Sequence, residues 1–512
     1  MKKKELFLPL NLIKVIQKIE ANNFEVFVVG GSVRDLLLER EVIDWDLTTN
    51  TRPEELMEIF PDAKYKNNFG TVIVPEKYLN KNSEKSSGFF EITTYRKEGS
   101  YSDKRRPDKV VFADKLEDDL KRRDFTINAL AMGLKDVNKL LTKAKLNEKT
   151  VQISEKDFIL IDQFKGIVDL KNKTIKTVGK PEKRIEEDAL RMMRAIRLAV
   201  QLDFEIEDKT FDIIKEKKEN LKYVSKERIG EEFKKTILSD QPAQGVRLLL
   251  ESDLMEYIIP EIKQTIEIKQ NRHHYHGPFN TVFKHMLASL EKCPSGKFEV
   301  RMASFLHDIG KPGTKQGEGY NSSFHNHEYL GAKIAEKIMK NLKFSKETIN
   351  KTVLLVRNHM FYYNVDEVGE AGVRKVIRKV GLENINDLID IRIADRLGSG
   401  VPKAVPYKLR HFKFMVEKVS QDPISVKQLR INGSDLIEKL KIKPGPKIGA
   451  ILDVLLMEVI EKPEQNNVEN LLKRAKRLTR EDLKNLRKTA KTKVKTENKK
   501  QEEKIKNKYW LK

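Results

Sequence analysis

Phe24-Glu25-Val26-Phe27-Val28-Val29-Gly30-Gly31-Ser32-Val33-Arg34-Asp35, followed shortly by Asp44-Trp45-Asp46-Leu47, is the stretch that decides the fold. Phe24–Val29 reads as a buried strand running into a glycine turn, with a helix opening near Ser32. Segment 43–47 reads as a second strand. Alternate residues of a strand share a face, so Asp44 and Asp46 aim at one point while Ile43, Trp45 and Leu47 face the other way. Two hard oxygen ligands suit Mg²⁺, which keeps several waters and is completed by substrate phosphates. Bare amides at Gly30-Gly31 and at a helix N-terminus form an anion site, and Arg34 adds a guanidinium fork for phosphate. Either half alone also fits a solvated strand end or a plain turn. A phosphate cradle followed by a carboxylate dyad points to nucleotidyl transfer.

Outward from this stretch, Leu10, Ile13, Ile16 and Ile19 recur at helical spacing ahead of the first strand. Thr51-Arg52-Pro53-Glu54 reads as a helix start with a capping box and an early proline. Phe69–Val74 and Phe89–Tyr95 read as further strands flanking a polar loop at Asn80–Gly88. Beyond about residue 180 helical periodicity takes over and strand signals vanish. The expected fold class is α+β, a small mixed sheet with flanking helices followed by an all-helical body. Pro260, Gly277-Pro278 and Gly398-Ser399-Gly400 with Pro402 and Pro406 mark boundaries.

At 512 residues the chain is long enough for three or more domains. One cysteine, Cys293, excludes a disulfide framework and cysteine-based zinc sites, and fits a reducing cytoplasm. No apolar run approaches a membrane span, and Met1-Lys2-Lys3-Lys4 lacks the core of a signal peptide. A net charge of +23 points to a polyanionic partner. Residues 471–512 carry 17 Lys/Arg against 5 Asp/Glu, about half of that net charge. With few apolar residues this basic tail reads as disordered and suited to RNA phosphates, although a Lys-rich composition alone also yields such charge.

Two more motifs follow in order: Arg122-Arg123-Asp124-Phe125-Thr126-Ile127-Asn128-Ala129-Leu130 and Glu187-Asp188-Ala189-Leu190-Arg191-Met192-Met193-Arg194-Ala195-Ile196-Arg197. With Gly30 to Asp46 they resemble the class II nucleotidyltransferases, the tRNA CCA-adding enzymes and bacterial poly(A) polymerases. The resemblance implies a polymerase-β-like head in which Arg123, Asp124 and Asn128 read ribose and triphosphate, and a helix on which Asp188 and Arg191 select the base. It extends to about residue 400, with 135–160 resembling an insertion. On one helix Asp188 and Arg191 would be i,i+3 and share a face. A carboxylate accepts and a guanidinium donates, which matches the edges of cytosine and adenine. Uracil and guanine would leave buried groups unpaired, at about 1–3 kcal/mol each. Arg194 and Arg197 extend the basic helix toward phosphates. The charged loop 96–107 resembles the flexible loop of relatives that add the terminal A.

His307-Asp308-Ile309-Gly310-Lys311 is an HD motif, flanked by His285, His327, His359 and Asp395. Seven of the nine histidines fall between 273 and 327. Imidazole with carboxylate suits Mn, Ni, Fe or Zn better than Mg²⁺. The segment resembles HD-domain phosphohydrolases, and this resemblance implies His285, His307, Asp308 and Asp395 as the basic metal set, with His327 and His359 as extra ligands. His273, His274 and His276 read as substrate-side or structural, and His325 as a weaker rival to His327.

The expected organisation is a nucleotidyltransferase head over 1–160, a helical neck over 161–260, an HD domain over 261–400 and a helical C-terminal region with the basic tail over 401–512. The expected activity is Mg²⁺-dependent addition of CCA to tRNA 3′ ends from CTP and ATP. A poly(A) polymerase or A-adding enzyme shares the head motifs and stays open at this point. So does an HD phosphohydrolase or RNA-binding protein with an inactive head.

Overall fold

The computed structural model describes residues 6–67, 70–76, 88–97, 111–143, 149–270, 280–401, 405–420, 426, 429–461, 463–486, 503 and 505–510. Outside them lie nearly all of the 96–107 loop, the Asn80–Gly88 loop up to Gly88, His273, His274 and His276, the Gly277-Pro278 boundary, and the tail over 487–502.

The head is built on a seven-stranded sheet. In chain order its strands are β1 (Leu6–Pro9), β2 (Val26–Val29), β3 (Asp46–Thr49), β4 (Lys64–Asn67), β5 (Thr71–Pro75), β6 (Phe89–Thr94), β7 (Arg96–Lys97), β8 (Val111–Phe112), β9 (Leu130–Leu134), β10 (Thr150–Ile153) and β11 (Phe158–Asp162). The large sheet has the order β11-β9-β2-β3-β6-β5-β4, while β1-β10 and β7-β8 are separate pairs. All contacts in the large sheet are antiparallel except β3 with β6, which sets Asp46 beside Glu91.

Alternation along the strands explains the two faces of the sheet. Val26, Val28, Leu47, Val72 and Ile92 pack with Leu12, Ile13 and Ile16 of the Leu10–Glu20 helix. Val29, Tyr95 and Ala131 pack the other way against Leu116 and Leu120. β9 is buried on both faces, so its sequence runs apolar throughout. The described part of the stretch 135–160 is folded into the head: the Val137–Lys143 helix packs near the first helix, β10 pairs with β1, and β11 completes the sheet edge.

Two expectations need correcting here. The dyad strand begins at Asp46, and Asp44 precedes it in a bend with Ile43 85 % exposed. The cause is Ser32, whose Oγ donates to the Asp44 carbonyl at 2.9 Å and accepts from the Asp46 amide at 3.0 Å, taking backbone groups a neighbouring strand would have used. The helix after Thr51 does carry the expected capping box and early proline, one residue along: it starts at Pro53, with the Arg52 amide donating to Glu55 Oε2 at 2.7 Å. Strand structure also outlasts residue 180: Glu205–Ile206 pairs in parallel with Thr174–Ile175.

From 181 onward the described chain is otherwise helical, and the main core runs continuously from the head into these helices. Residues 429–486 form a second hydrophobic cluster around Leu436, Ile451, Leu455 and Ala475. Residues 505–510, within the stretch read as a disordered tail, are folded: Ile505 is buried in the main core. No helix among the described residues is long and apolar enough to cross a membrane.

Candidate active site and a histidine-aspartate cluster

The glycine turn sits where the sequence placed it. Gly30 ends β2 with φ +74°, and a Cβ there would come within 2.8 Å of an Arg123 guanidinium nitrogen, so only glycine fits. The Gly31–Leu37 helix follows. A cavity of about 610 Å³ opens beside it, lined by Gly31, Ser32, Arg34, Asp44, Asp46 and Asn128 from the head and by Arg194, Arg197 and Lys235 from the helical body. Sequence reasoning brought the dyad, Arg34, Asn128, Arg194 and Arg197 to one place, and the structure does the same.

Burial pushes the Asp46 carboxyl up to about 6; Arg123 opposes the shift, while Glu91 and Asp44 add to it. Glu91, paired to Lys66, was missed at the sequence level. Its signal was an acidic residue interrupting the apolar Phe89-Phe90-Glu91-Ile92. Stacked carboxylates on oxygen-only ground fit a hard divalent cation, which relieves their repulsion.

A hydrogen-bonded chain crosses from head to body. Arg34 forks the Asp35 carboxylate at 2.9 and 2.8 Å and donates to Asn128 Oδ1 at 2.7 Å. Asn128 Nδ2 donates to Asp124 Oδ1 at 3.1 Å, and Arg194 donates to Asp124 Oδ2 at 2.8 and 2.5 Å. Burial would raise the Asp124 carboxyl, but Arg194, Asn128 and Arg191 hold it well below the usual carboxylate range. Arg123 is braced by Asp119 at 3.1 Å.

Asp188 and Arg191 do not share one helix. The Pro181–Glu187 helix ends at Asp188, which is extended, and the next helix opens at Arg191. Each has its own partner. Arg228 donates to Asp188 at 2.7 Å, while Arg191 reaches Glu187 at 2.7 Å and the Arg122 carbonyl at 3.1 Å. Neither residue lines the cavity above, though Arg191 is close enough to act on Asp124. Arg197 is held by Glu232 at 2.6 Å. Arg228 and Glu232, also missed, are i,i+4 on the Lys226–Ile237 helix and brace the two motif residues from one face.

The second constellation is assembled almost wholly as read. His285 and Asp395 lie within helices, His307 and His359 close the Phe298–Leu306 and Lys346–Asn358 helices, and His327 opens His327–Asn341. His285 Nε2 is 3.0 Å from His307 Nε2, 3.4 Å from Asp308 and 3.3 Å from Asp395. On the other side of Asp308, His327 Nε2 is 3.3 Å from both Asp308 Oδ1 and His359 Nε2. Two ligand groups therefore share Asp308: His285, His307 and Asp308, then Asp308, His327 and His359. The Nδ1 atoms of His307, His327 and His359 bond the carbonyls of Ser304, Phe324 and Val356 at 2.7–2.8 Å, which directs each Nε2 inward. Burial works against charge on His307, but Asp308 and Asp395 hold it above the usual imidazole range; burial and His307 push His359 down to about 3. The donor set fits a transition metal. Lys311, buried 2.6 Å from Asp308, was not foreseen. Gly310 permits the approach, since a Cβ there would meet the His327 carbonyl at 2.2 Å. His325 lies exposed, outside the cluster.

Comparison with known proteins agrees with this architecture. Residues 26–176 match the poly A polymerase head domain, 203–266 the probable RNA and SrmB-binding site of polymerase A, and 328–475 the putative tRNA nucleotidyltransferase domain 2. Fold and cavity thus define a nucleotidyltransferase with a polymerase-β-like head. The CCA-adding enzyme of Ligilactobacillus salivarius is 32 % identical over 475 residues, covering 92 % of this chain and 96 % of that protein. The Enterococcus faecalis CCA-adding enzyme is 32 % identical over 473 residues, covering 90 % and 94 %. A crystal structure of the Bacillus stearothermophilus CCA-adding enzyme in complex with CTP shares the fold, with TM-score 0.56 at 24 % identity over 92 % of this chain and 97 % of that one. The chain belongs to the CCA-adding enzymes and is a tRNA nucleotidyltransferase.

The raised Asp46 carboxyl has a measurable consequence. A proton and a cation compete for the same oxygens, so Mg²⁺ affinity should fall as pH drops below about 6, by up to about tenfold per unit. Calorimetric Mg²⁺ titration from about pH 5 to about pH 8 reads this. Glu91→Gln should move the midpoint down, because Glu91 is one of the groups raising Asp46.

Proposed function

We propose that the chain completes the tRNA 3′ end in the order C, C, A from CTP and ATP, with Asp44 and Asp46 as the carboxylates that hold Mg²⁺. The observation that carries this is the convergence of Asp44, Asp46, Arg34 and Arg194 on one cavity between head and helical body. Bound Mg²⁺ supplies charge neutralisation on the triphosphate and a lowered pKa for the RNA 3′-hydroxyl. The chain's own residues do the positioning. Gly30, Gly31 and Arg34 take phosphate, and Arg123 adds charge beside the dyad. Asp124, oriented by Asn128 and Arg194, accepts from ribose. Asp188 and Arg191 present an acceptor and a donor to the base once they exchange Arg228 and Glu187 for it. Arg194 and Arg197 keep the cavity floor positive. Catalysis is then placement and charge stabilisation. The parts divide as head 1–160, neck 161–260, HD domain 261–400 and C-terminal region 401–512.

Transfer RNA lacking its CCA end, incubated with CTP, with ATP and with both, tests the reading. CTP alone should add two C residues and both together CCA; long A tracts from ATP alone would make the chain a poly(A) polymerase instead. Asp46→Ala should cut addition by on the order of 10³-fold or more while tRNA binding stays intact.

Asp188→Ala should admit UTP or GTP more than it weakens triphosphate binding, relaxing discrimination by roughly 5- to 100-fold. Loss of all activity with unchanged selectivity would make Asp188 a structural residue.

A second activity is favoured by the convergent imidazole Nε2 atoms. The cluster of His285, His307, Asp308, His327, His359 and Asp395 holds a transition metal, Mn, Ni, Fe or Zn, with Asp308 shared between two positions. Such a metal supplies an activated water for phosphate-ester hydrolysis. A 2′,3′-cyclic phosphate or a terminal phosphate on damaged tRNA is the substrate class. Elemental analysis should find the metal in purified protein and lose it in His307→Ala/Asp308→Ala, while Asp46→Ala keeps both metal and hydrolysis. Metal-loaded protein inert on these esters would leave the cluster a scaffold.

A further inference from the structure

Exposed aromatic side chains occur on the helical half of the protein, in the segment that follows His359 and along the Tyr407–Ser420 helix and the 505–510 segment docked on it, and neither reaction above uses them. Trp510 is 77 % exposed, Tyr362 68 %, Met360 48 % and Tyr407 42 %. Large apolar side chains collected in water mark binding surfaces.

The patch is deliberately held. After the Tyr407–Ser420 helix the chain folds the separate 429–486 cluster, then comes back at 505–510 onto that same helix. Lys508 Nζ and the Tyr509 hydroxyl both reach Glu417, at 2.8 and 2.7 Å, and Arg410 donates to the Trp510 carbonyl at 3.2 Å. Trp510 adopts φ +50°, a left-handed backbone that non-glycine residues rarely take. Docking therefore fixes the Trp510 main chain and leaves its indole in water.

The neighbours are cationic and aromatic. The Arg410 guanidinium lies 5.9 Å from the Tyr407 ring, and Tyr407 packs against His411, which bonds the Tyr363 hydroxyl at 2.5 Å. Lys408 acts on Glu367, whose carboxylate is engaged by Tyr362 and Asn364. Met360 follows His359, and Arg392 touches the Met360 sulfur at 3.9 Å while pairing with Asp395 at 3.0 Å. Side-chain contacts thus link Tyr363, beside Tyr362 in the chain, through His411, Tyr407 and Arg410 to the Trp510 main chain.

We propose that this surface binds unpaired RNA, stacking bases on Trp510, Tyr407 and Tyr362 with Arg410 and Lys408 set toward the backbone. Every base offers a π-face, so such binding tolerates sequence. A duplex hides those faces and is refused. The chain's net charge of +23 selects a polyanion over a protein partner. The surface lies outside the residues of the nucleotidyltransferase cavity and serves RNA ends presented to the helical half.

The test uses full-length protein in EDTA, so its outcome does not depend on whether the histidine cluster holds a metal. Trp45 and Trp510 are the two tryptophans, and in Trp45→Phe protein the emission reports Trp510 alone. Octaadenylate should quench that emission saturably. Labelled octaadenylate should bind Trp510→Ala and Tyr407→Ala protein roughly 5- to 100-fold more weakly. Assayed separately with Mg²⁺ and without EDTA, both variants should keep wild-type nucleotide addition, which also shows that they fold. Unmoved emission at saturation, or unchanged affinity in both variants, overturns the proposal. Competition by duplex RNA equal to that by octaadenylate overturns it as well.

Discussion

The ion pair between Asp124 and Arg194 is the contact on which the rest of the active site depends. Asp124 belongs to the head and Arg194 to the Arg191–Leu202 helix; the carboxylate is buried while the guanidinium stays 35 % exposed. Losing Arg194 would leave the buried Asp124 charge without its main counter-charge, so this pair ties the head to the helix. Asn128 ties the same carboxylate to Arg34, and Arg34 stands over the cavity that holds the dyad. A nucleotide bound there as proposed would meet cations and acceptors already oriented against each other, leaving little reorganisation for the chemical step.

The same economy explains what the sequence disclosed and what it withheld. Gly30-Gly31, Asp44 and Asp46 were legible because their chemistry and spacing are local: a positive φ, a turn and two carboxylates. The strand boundary was not, because it depends on Ser32, whose hydroxyl captures the backbone on both sides of Trp45. The helical face assigned to Asp188 and Arg191 failed for a related reason. Glu187 holds Arg184 and Arg191 at once, and Arg228 draws Asp188 out, so the chain breaks where periodicity runs on. Long-range partners such as Arg228, Glu232 and Glu91 leave only a weak trace in linear spacing.

The histidine cluster was legible for the opposite reason. Imidazoles are rare in this chain, and their crowding around an adjacent His-Asp pair is informative before any fold is known. Its depth was not readable. Burial comes from five helices converging, with His307, His327 and His359 at or next to helix ends, where a carbonyl three residues back meets each Nδ1. The return of residues 505–510 was equally hidden, since a Lys-rich segment gives no hint that Ile505 and Tyr509 find apolar ground.

The two metal chemistries proposed above would require each site to refuse the other's ion. Transition metals outcompete Mg²⁺ for most ligand sets, so affinity alone does not protect the dyad. Its protection is chemical: oxygen donors only, in an open cavity where substrate phosphates finish the coordination. The histidine cluster refuses Mg²⁺ on complementary grounds. It is fully buried, its nitrogens converge at about 3 Å, and an ion that sheds its waters reluctantly gains little from imidazole. Lys311, 2.6 Å from Asp308, occupies the carboxylate with a positive charge of its own. Whatever ion enters must displace that ammonium from Asp308, which favours a strongly bound transition metal over a weakly bound alkaline-earth one.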